Sequence, residues 1–196
     1  MEANFLRSKK MPLVIEPKRK DRSLNSLIET ALSNKDIFLS QLLRYGALLF
    51  RGFEVQTAED FTDFVKRFSG KEFFNYAGGA SPRSLISGKV YNSTDYPPEL
   101  MLELHNELSY SKHYPQHLYF FCETAPEKGG ETILGDSRQI LRRIRPKIAG
   151  LFKHKNILYE RNLSANADSP YSWQKAFETE DKQLVEEICR QTGVGF

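Results

Sequence analysis

Between about residues 76 and 134 the helical spacing of apolar side chains disappears, and short aromatic-rich runs take its place, punctuated by Gly, Pro, Ser and Asn. That pattern predicts β structure with long loops. Helical patterning flanks it on both sides, so the fold class expected is α+β. Upstream, residues 23–32 place Leu24, Leu27, Ile28, Ala31 and Leu32 on one helical face. Asn34 is positioned to cap a second helix running to Tyr45, with Gly46 ending it in a left-handed turn. A short buried strand is expected at residues 47–50, and a third helix at 58–68, capped by Thr57 and stopped by Gly70. Before these, residues 12–17 read as an extended piece bounded by Pro12 and Pro17, suited to a sheet edge. Downstream, helices are expected at 137–144, 146–152 and 181–191, the last closed by Gly193, with a strand at 157–163.

Size and composition bound the function classes. A chain of 196 residues with 40% apolar and 27% charged side chains builds a core and is not disordered by default. The organisation expected is an N-terminal segment, 1–22, followed by one domain over 23–196. No apolar run approaches the roughly 20 residues that span a bilayer, and no secretory signal follows Met1, so a cytoplasmic protein without a membrane partner is expected. A net charge of +3 is weak, and the basic cluster Lys18, Arg19, Lys20 and Arg22 lacks interleaved aromatics, which argues against nucleic acid. Cys122 and Cys189 show no CxxC spacing and read as small buried hydrophobes.

The chemistry concentrates in Leu102-Glu103-Leu104-His105-Asn106-Glu107-Leu108-Ser109-Tyr110. In an extended segment, residues two apart share a face, so His105 and Glu107 would project together. One imidazole and one carboxylate make two thirds of the two-His, one-carboxylate triad that leaves positions open on Fe(II). An edge strand with two exposed polar residues has the same pattern. Context adds weight: a buried strand Tyr119-Phe120-Phe121-Cys122 follows, then Gly129-Gly130 turns into a strand carrying Thr132, and Asp136-Ser137 caps a helix.

These residues, together with Ala47-Leu48-Leu49-Phe50-Arg51-Gly52-Phe53 upstream and Ser172-Trp173-Gln174-Lys175-Ala176-Phe177 downstream, resemble the TauD/TfdA family of Fe(II)/2-oxoglutarate dioxygenases, in its clavaminate synthase-like and SyrP-like branch. The resemblance implies a double-stranded β-helix, or jelly roll, with flanking helices. It implies His105 and Glu107 as metal ligands, Thr132 as a contact of the 2-oxoglutarate carboxylate, and Fe(II) and 2-oxoglutarate as cofactors. Asn92 and Thr94 fall in a segment that resembles the border of the active site, as substrate contacts or as turn caps. The implied activity is hydroxylation of an unactivated C–H bond in a small or carrier-tethered amino-acid-like substrate, with molecular oxygen as co-substrate.

A distal His and an Arg for the far carboxylate of 2-oxoglutarate complete the family's site; both are expected on strands beyond these residues, and His113, His117 and His154 are poor candidates for the third ligand. The expectation is therefore a core truncated before its second half, inactive alone, with an oligomer or a complementing C-terminal half as partner. A second reading, from a different class, is a non-catalytic remnant or interaction module of a split dioxygenase. A cupin-like metal hydrolase is a third, and it lacks the extra ligand pair that it needs.

Overall fold

A computed structural model describes residues 2–5, 11–18, 20–73, 84–93, 99, 101–169 and 171–195. The chain divides into two compact units: Met1–Phe73 with Phe121–Pro126, and Phe74–Phe120 with Glu127–Phe196. Helices and short strands together make an α+β protein. Among the described residues, no helix is long and apolar enough to cross a membrane.

The first unit is a three-stranded sheet covered by helices. Strand β1 (Glu2–Phe5) pairs antiparallel with β2 (Leu13–Glu16), and β2 pairs parallel with β3 (Leu48–Phe50). Leu13, Val14 and Ile15 are buried, so β2 is the centre of the sheet and not the edge strand expected of it. The two prolines permit this because Pro12 and Pro17 lie just outside the paired residues, where no ladder donor is missing. The connection from β2 to β3 carries α1 (Leu24–Ser33) and α2 (Lys35–Tyr45), and α3 (Ala58–Ser69) follows β3.

Local chemistry sets the helix ends. Ser23 Oγ accepts from the Ser26 amide at the start of α1. Thr57 and Asp60 form a reciprocal capping box on α3, satisfying two amides that the helix leaves unpaired. Gly46 and Gly70 end α2 and α3 at φ 82° and 66°, a region that side chains with a Cβ rarely enter. Asn34 departs from expectation. Its side chain donates to the Thr30 carbonyl at 2.9 Å and so closes α1 instead of capping α2.

The core of this unit is aromatic. The Phe50 ring meets Phe38, Phe53, Phe64 and Phe68 edge-on, with centroids 5.4–6.4 Å apart, and Phe64 stacks on Phe68. Phe61 stacks on Phe121 at 5.5 Å. Cys122, expected to be buried, is exposed. The run 118–122 has no ladder partner among the described residues, so nothing covers both of its faces, and Leu118 and Phe120 are exposed with it.

The second unit is more irregular. Strands β4 (Leu85–Ser87) and β5 (Val90–Tyr91) form a small antiparallel pair. Helices α4 (Ser137–Arg143), α5 (Pro146–Lys155) and α7 (Lys182–Thr192) fall where helical patterning predicts them, and a further short helix, α6 (Trp173–Phe177), forms outside the expected ones. The strands expected at the HxE segment, around Thr132 and at 157–163 form no ladder among the described residues. Just past the last of these, an isolated bridge joins Ser164 to Ser172. β-Type side chains alone do not make a strand; a neighbour must accept its amides. Ser172, fully buried, caps α6. Asp181 caps α7, which Gly193 terminates, and Cys189 is buried on α7 as expected.

Three outcomes follow from this packing. Thr57→Ala removes half of the capping box and should lower stability in urea by about 1 kcal/mol. Phe64→Ala opens the ring cluster and should cost roughly 3–5 kcal/mol by the same measurement. Under native conditions a thiol reagent should label Cys122 first. Burial pushes the Cys189 thiol up, against a smaller opposing pull from Arg161, so Cys189 should label only on unfolding. Equal labelling rates, followed by peptide mapping, would contradict the burial of Cys189.

Candidate metal centre

His105 and Glu107 come from an irregular segment that leads into the turn 107–110. The turn is closed by the Ser109 amide donating to the Asn106 carbonyl at 3.3 Å and the Ser111 amide to the Leu108 carbonyl at 2.9 Å. Leu108 holds φ at +50° with its side chain buried. A leucine in left-handed backbone is strained, and it persists only where packing over-determines it. The buried Leu108 side chain thus anchors the backbone next to Glu107. Sequence reasoning gave Leu108 no role, because positive φ at a leucine leaves no sequence signal.

The two candidate ligands do come together. His105 Nε2 lies 4.0 Å from Glu107 Oε2, with the imidazole about half exposed and the carboxylate side chain at 12%. His105 Nδ1 sits 2.8 Å from the Glu103 carbonyl oxygen. A carbonyl only accepts, so Nδ1 carries the proton, and in the neutral ring the Nε2 lone pair faces the carboxylate. Metal-ligating histidines are commonly held in this way, with the second nitrogen donating to a backbone carbonyl. Two adjacent ligands, each about 2.1 Å from an ion, stand near 3 Å apart in octahedral geometry, so a small side-chain rotation suffices. The donor set fits a divalent metal. Among the described residues, no cluster of three His, Cys, Asp or Glu side chains is assembled.

The GGxT stretch approaches this segment through its end. Gly129 and Gly130, both at φ 73°, make the turn. A Cβ on Gly135 would lie 3.2 Å from a Leu104 methyl and 3.5 Å from one of Ile140, so the missing side chain lets the two segments close. Ser137 Oγ donates to Asn106 Oδ1 at 3.1 Å, tying the start of α4 to the residue between the two ligands. Thr132 is exposed and stands five residues before Ser137 in the chain. Asn92 is exposed after β5, where its amide donates to the Ser84 carbonyl at 2.9 Å. Thr94 lies outside the described residues. His113 and His117 are exposed beyond the turn, and His154 is exposed in the last turn of α5.

Two further groups support the segment. Arg161 lies over the Tyr110 ring at 4.7 Å, and Tyr159 meets Tyr110 edge-on at 6.3 Å. Asp136, the N-cap of α4, accepts from the Arg138 amide and pairs with its guanidinium at 2.9 Å. The side-chain hydrogen bond from Arg138 holds the Asp136 carboxyl below the usual carboxylate range.

In this α+β chain His105 and Glu107 thus stand 4.0 Å apart, and the segment that follows the GGxT stretch is bonded to Asn106 between them. Over residues 8–192 the sequence matches the taurine catabolism dioxygenase TauD, TfdA family, and the chain belongs to that family. It is 34% identical over 199 residues to a clavaminate synthase-like protein of Arabidopsis thaliana, covering 95% of this chain and 60% of that protein. It is 35% identical over 149 residues to the dapdiamide synthesis protein DdaC of Enterobacter agglomerans, covering 76% of this chain and 44% of that protein. The chain therefore spans about half the length of the curated relatives it matches.

The lowered Asp136 carboxyl has a pH consequence with a definite sign. A depressed folded-state pKa contributes stability above the unfolded value, near 3.9, that is lost as pH falls through the folded one. An NMR titration of the Arg138 amide should show a midpoint below 3.9, absent in Asp136→Asn. A midpoint at or above the ordinary value removes the Arg138 pairing from the account.

Proposed function

We propose that the chain is the iron-binding portion of an Fe(II)/2-oxoglutarate-dependent oxygenase with a jelly-roll core. In this reading it hydroxylates an unactivated C–H bond of a small or carrier-tethered amino-acid-like substrate. The observation that carries the reading is the orientation of His105: its Nδ1 is committed to the Glu103 carbonyl, and Nε2 faces the Glu107 carboxylate within a stretch matched to the family. His105 and Glu107 would hold the metal, and Thr132 would orient the carboxylate of 2-oxoglutarate. Fe(II) with 2-oxoglutarate supplies the activation of molecular oxygen.

This chain's own residues do the positioning. The Glu103 carbonyl accepts from Nδ1, so in the neutral imidazole the lone pair lies on Nε2. The buried Leu108 and the Ser137–Asn106 bond restrain the backbone on either side of Glu107. Retention of a carboxylate at Glu107 favours hydroxylation over halogenation, because halide transfer needs that coordination position for chloride. Asn92 and Thr94 are assigned to the substrate side. The third ligand and the Arg for the far carboxylate are assigned to the part of the relatives that this sequence does not match. Support for that assignment comes from the two-donor site among the described residues and the greater length of the relatives.

A second reading is favoured by the same two-donor site: a non-catalytic remnant or interaction module of a split dioxygenase. The two readings separate in one experiment. Anaerobic titration of the chain with Fe(II) and 2-oxoglutarate, followed by the charge-transfer absorption of the complex, should show weak binding that falls at least tenfold in His105→Ala and Glu107→Ala. Succinate should form only when the complementing half is supplied. Binding unchanged by both substitutions sinks the oxygenase reading and leaves the interaction module.

A further inference from the structure

Charge is distributed unevenly along the chain, and the cations concentrate on α4 and α5. Between Ser137 and Tyr159 there are seven Lys and Arg residues and no Asp or Glu, although the net charge of the whole chain is only +3. All seven are exposed. Arg138 pairs with Asp136, and among the described residues the other six have no ion-pair partner. Other helices place an acid one turn from a cation, as Asp63 stands by Arg67 and Glu186 by Arg190. A row of like charges without acids repels itself unless a counter-charge meets it.

Apolar side chains interleave these cations. Residues three or four apart share a helix face. On α5, Leu151 is 49% exposed and stands one turn from both Lys147 and Lys155, while Ile148 and Ala149 are half-buried. On α4, Leu141 is 60% exposed, with Arg138 one turn before it and Arg142 next in the chain. Only Ile144 and Arg145 separate the two helices, so both sets lie in one short stretch.

This pattern selects among anionic partners. Protein interfaces set charges of both signs against each other, which fixes register and rejects wrong partners; here a single sign is present. A second copy of the chain would bring like charges together. Nucleic acid would set phosphates against Leu141 and Leu151, and from 137 to 158 Phe152 is the one Phe, Tyr or Trp that could stack on a base. A bilayer rich in anionic lipid fits both features. Its negative charge is spread without fixed geometry, and its interface accepts leucine side chains. Long cationic side chains reach lipid phosphates while their stems lie along apolar surface. The expectation of no membrane partner came from the lack of a spanning run, and contact from one side needs none.

We propose that α4 and α5 form a peripheral docking surface for an anionic bilayer, with Leu141 and Leu151 entering its interface and the surrounding lysines and arginines meeting the lipid phosphates. The contact involves neither His105 nor Glu107, so it stands or falls separately from the oxygenase reading.

The test is sedimentation of the full chain, without added metal, with vesicles of phosphatidylcholine alone and with about 30% phosphatidylserine. The chain should bind the mixed vesicles and not the neutral ones. Raising salt from about 0.1 M to about 1 M, which shortens the screening length from about 10 Å to about 3 Å, should release it. Lys147→Glu combined with Lys155→Glu should weaken binding at least about tenfold. Leu151→Ser, which leaves the charge unchanged, should weaken it severalfold. Lys18→Glu combined with Lys20→Glu makes the same charge change in the other basic cluster and should bind as the parent chain does. All these side chains are exposed, so each variant should keep its circular dichroism spectrum. Equal binding to neutral vesicles, equal loss in the two double variants, no effect of Leu151→Ser, or no binding at all would each overturn the proposal. Capture by polyglutamate in place of the vesicles would overturn it in favour of an acidic polypeptide.

Discussion

The Phe50 ring is the contact on which the first unit depends. Strand β3 has three residues, too few to hold a sheet by hydrogen bonding alone. Its final side chain reaches Phe38 on α2 and both Phe64 and Phe68 on α3, so one ring joins two helices to the sheet. The edge-on geometry lets the positive rims of the neighbouring rings meet the face or edge of Phe50, an arrangement favoured over face-to-face stacking. Once these helices are pinned, β2 is covered, and Leu13, Val14 and Ile15 lose contact with water. Order in this unit comes from burial, with caps trimming the helix ends.

The second unit is built on a different balance. Its candidate ligands are held by a carbonyl, a side-chain amide, a hydroxyl and one buried leucine, with little apolar packing behind them. Such bonds give direction: the Glu103 carbonyl selects which imidazole nitrogen is basic. They give little stability, because each replaces a bond to water. One strained residue matters here for that reason: Leu108 couples the backbone beside the carboxylate to the small core this unit has among its described residues.

Features governed by near neighbours in sequence were legible from the residues alone. The cap at Thr57 and the helix ends at Gly46, Gly70 and Gly193 each involve groups within four residues of one another. The HxE spacing and the GGxT turn were legible for the same reason, and they led to the family before any coordinates were needed. Asn34 shows the limit of this logic, since two helices competed for one amide and α1 took it. Cys122 shows another, because an apolar run says nothing about whether a second layer covers it.

The sequence by itself determined helices α1 to α5 and α7, most of their ends, and the α+β class. Each of these rests on local hydrogen bonding or on a fixed periodicity. Only the tertiary structure decided that β2 lies at the centre of its sheet, that His105 Nδ1 meets the Glu103 carbonyl, that Leu108 adopts positive φ, and that the runs at 118–122 and 157–163 find no ladder partner among the described residues. Those outcomes depend on which distant groups arrive within hydrogen-bonding or van der Waals range, and no spacing along the chain encodes that arrival.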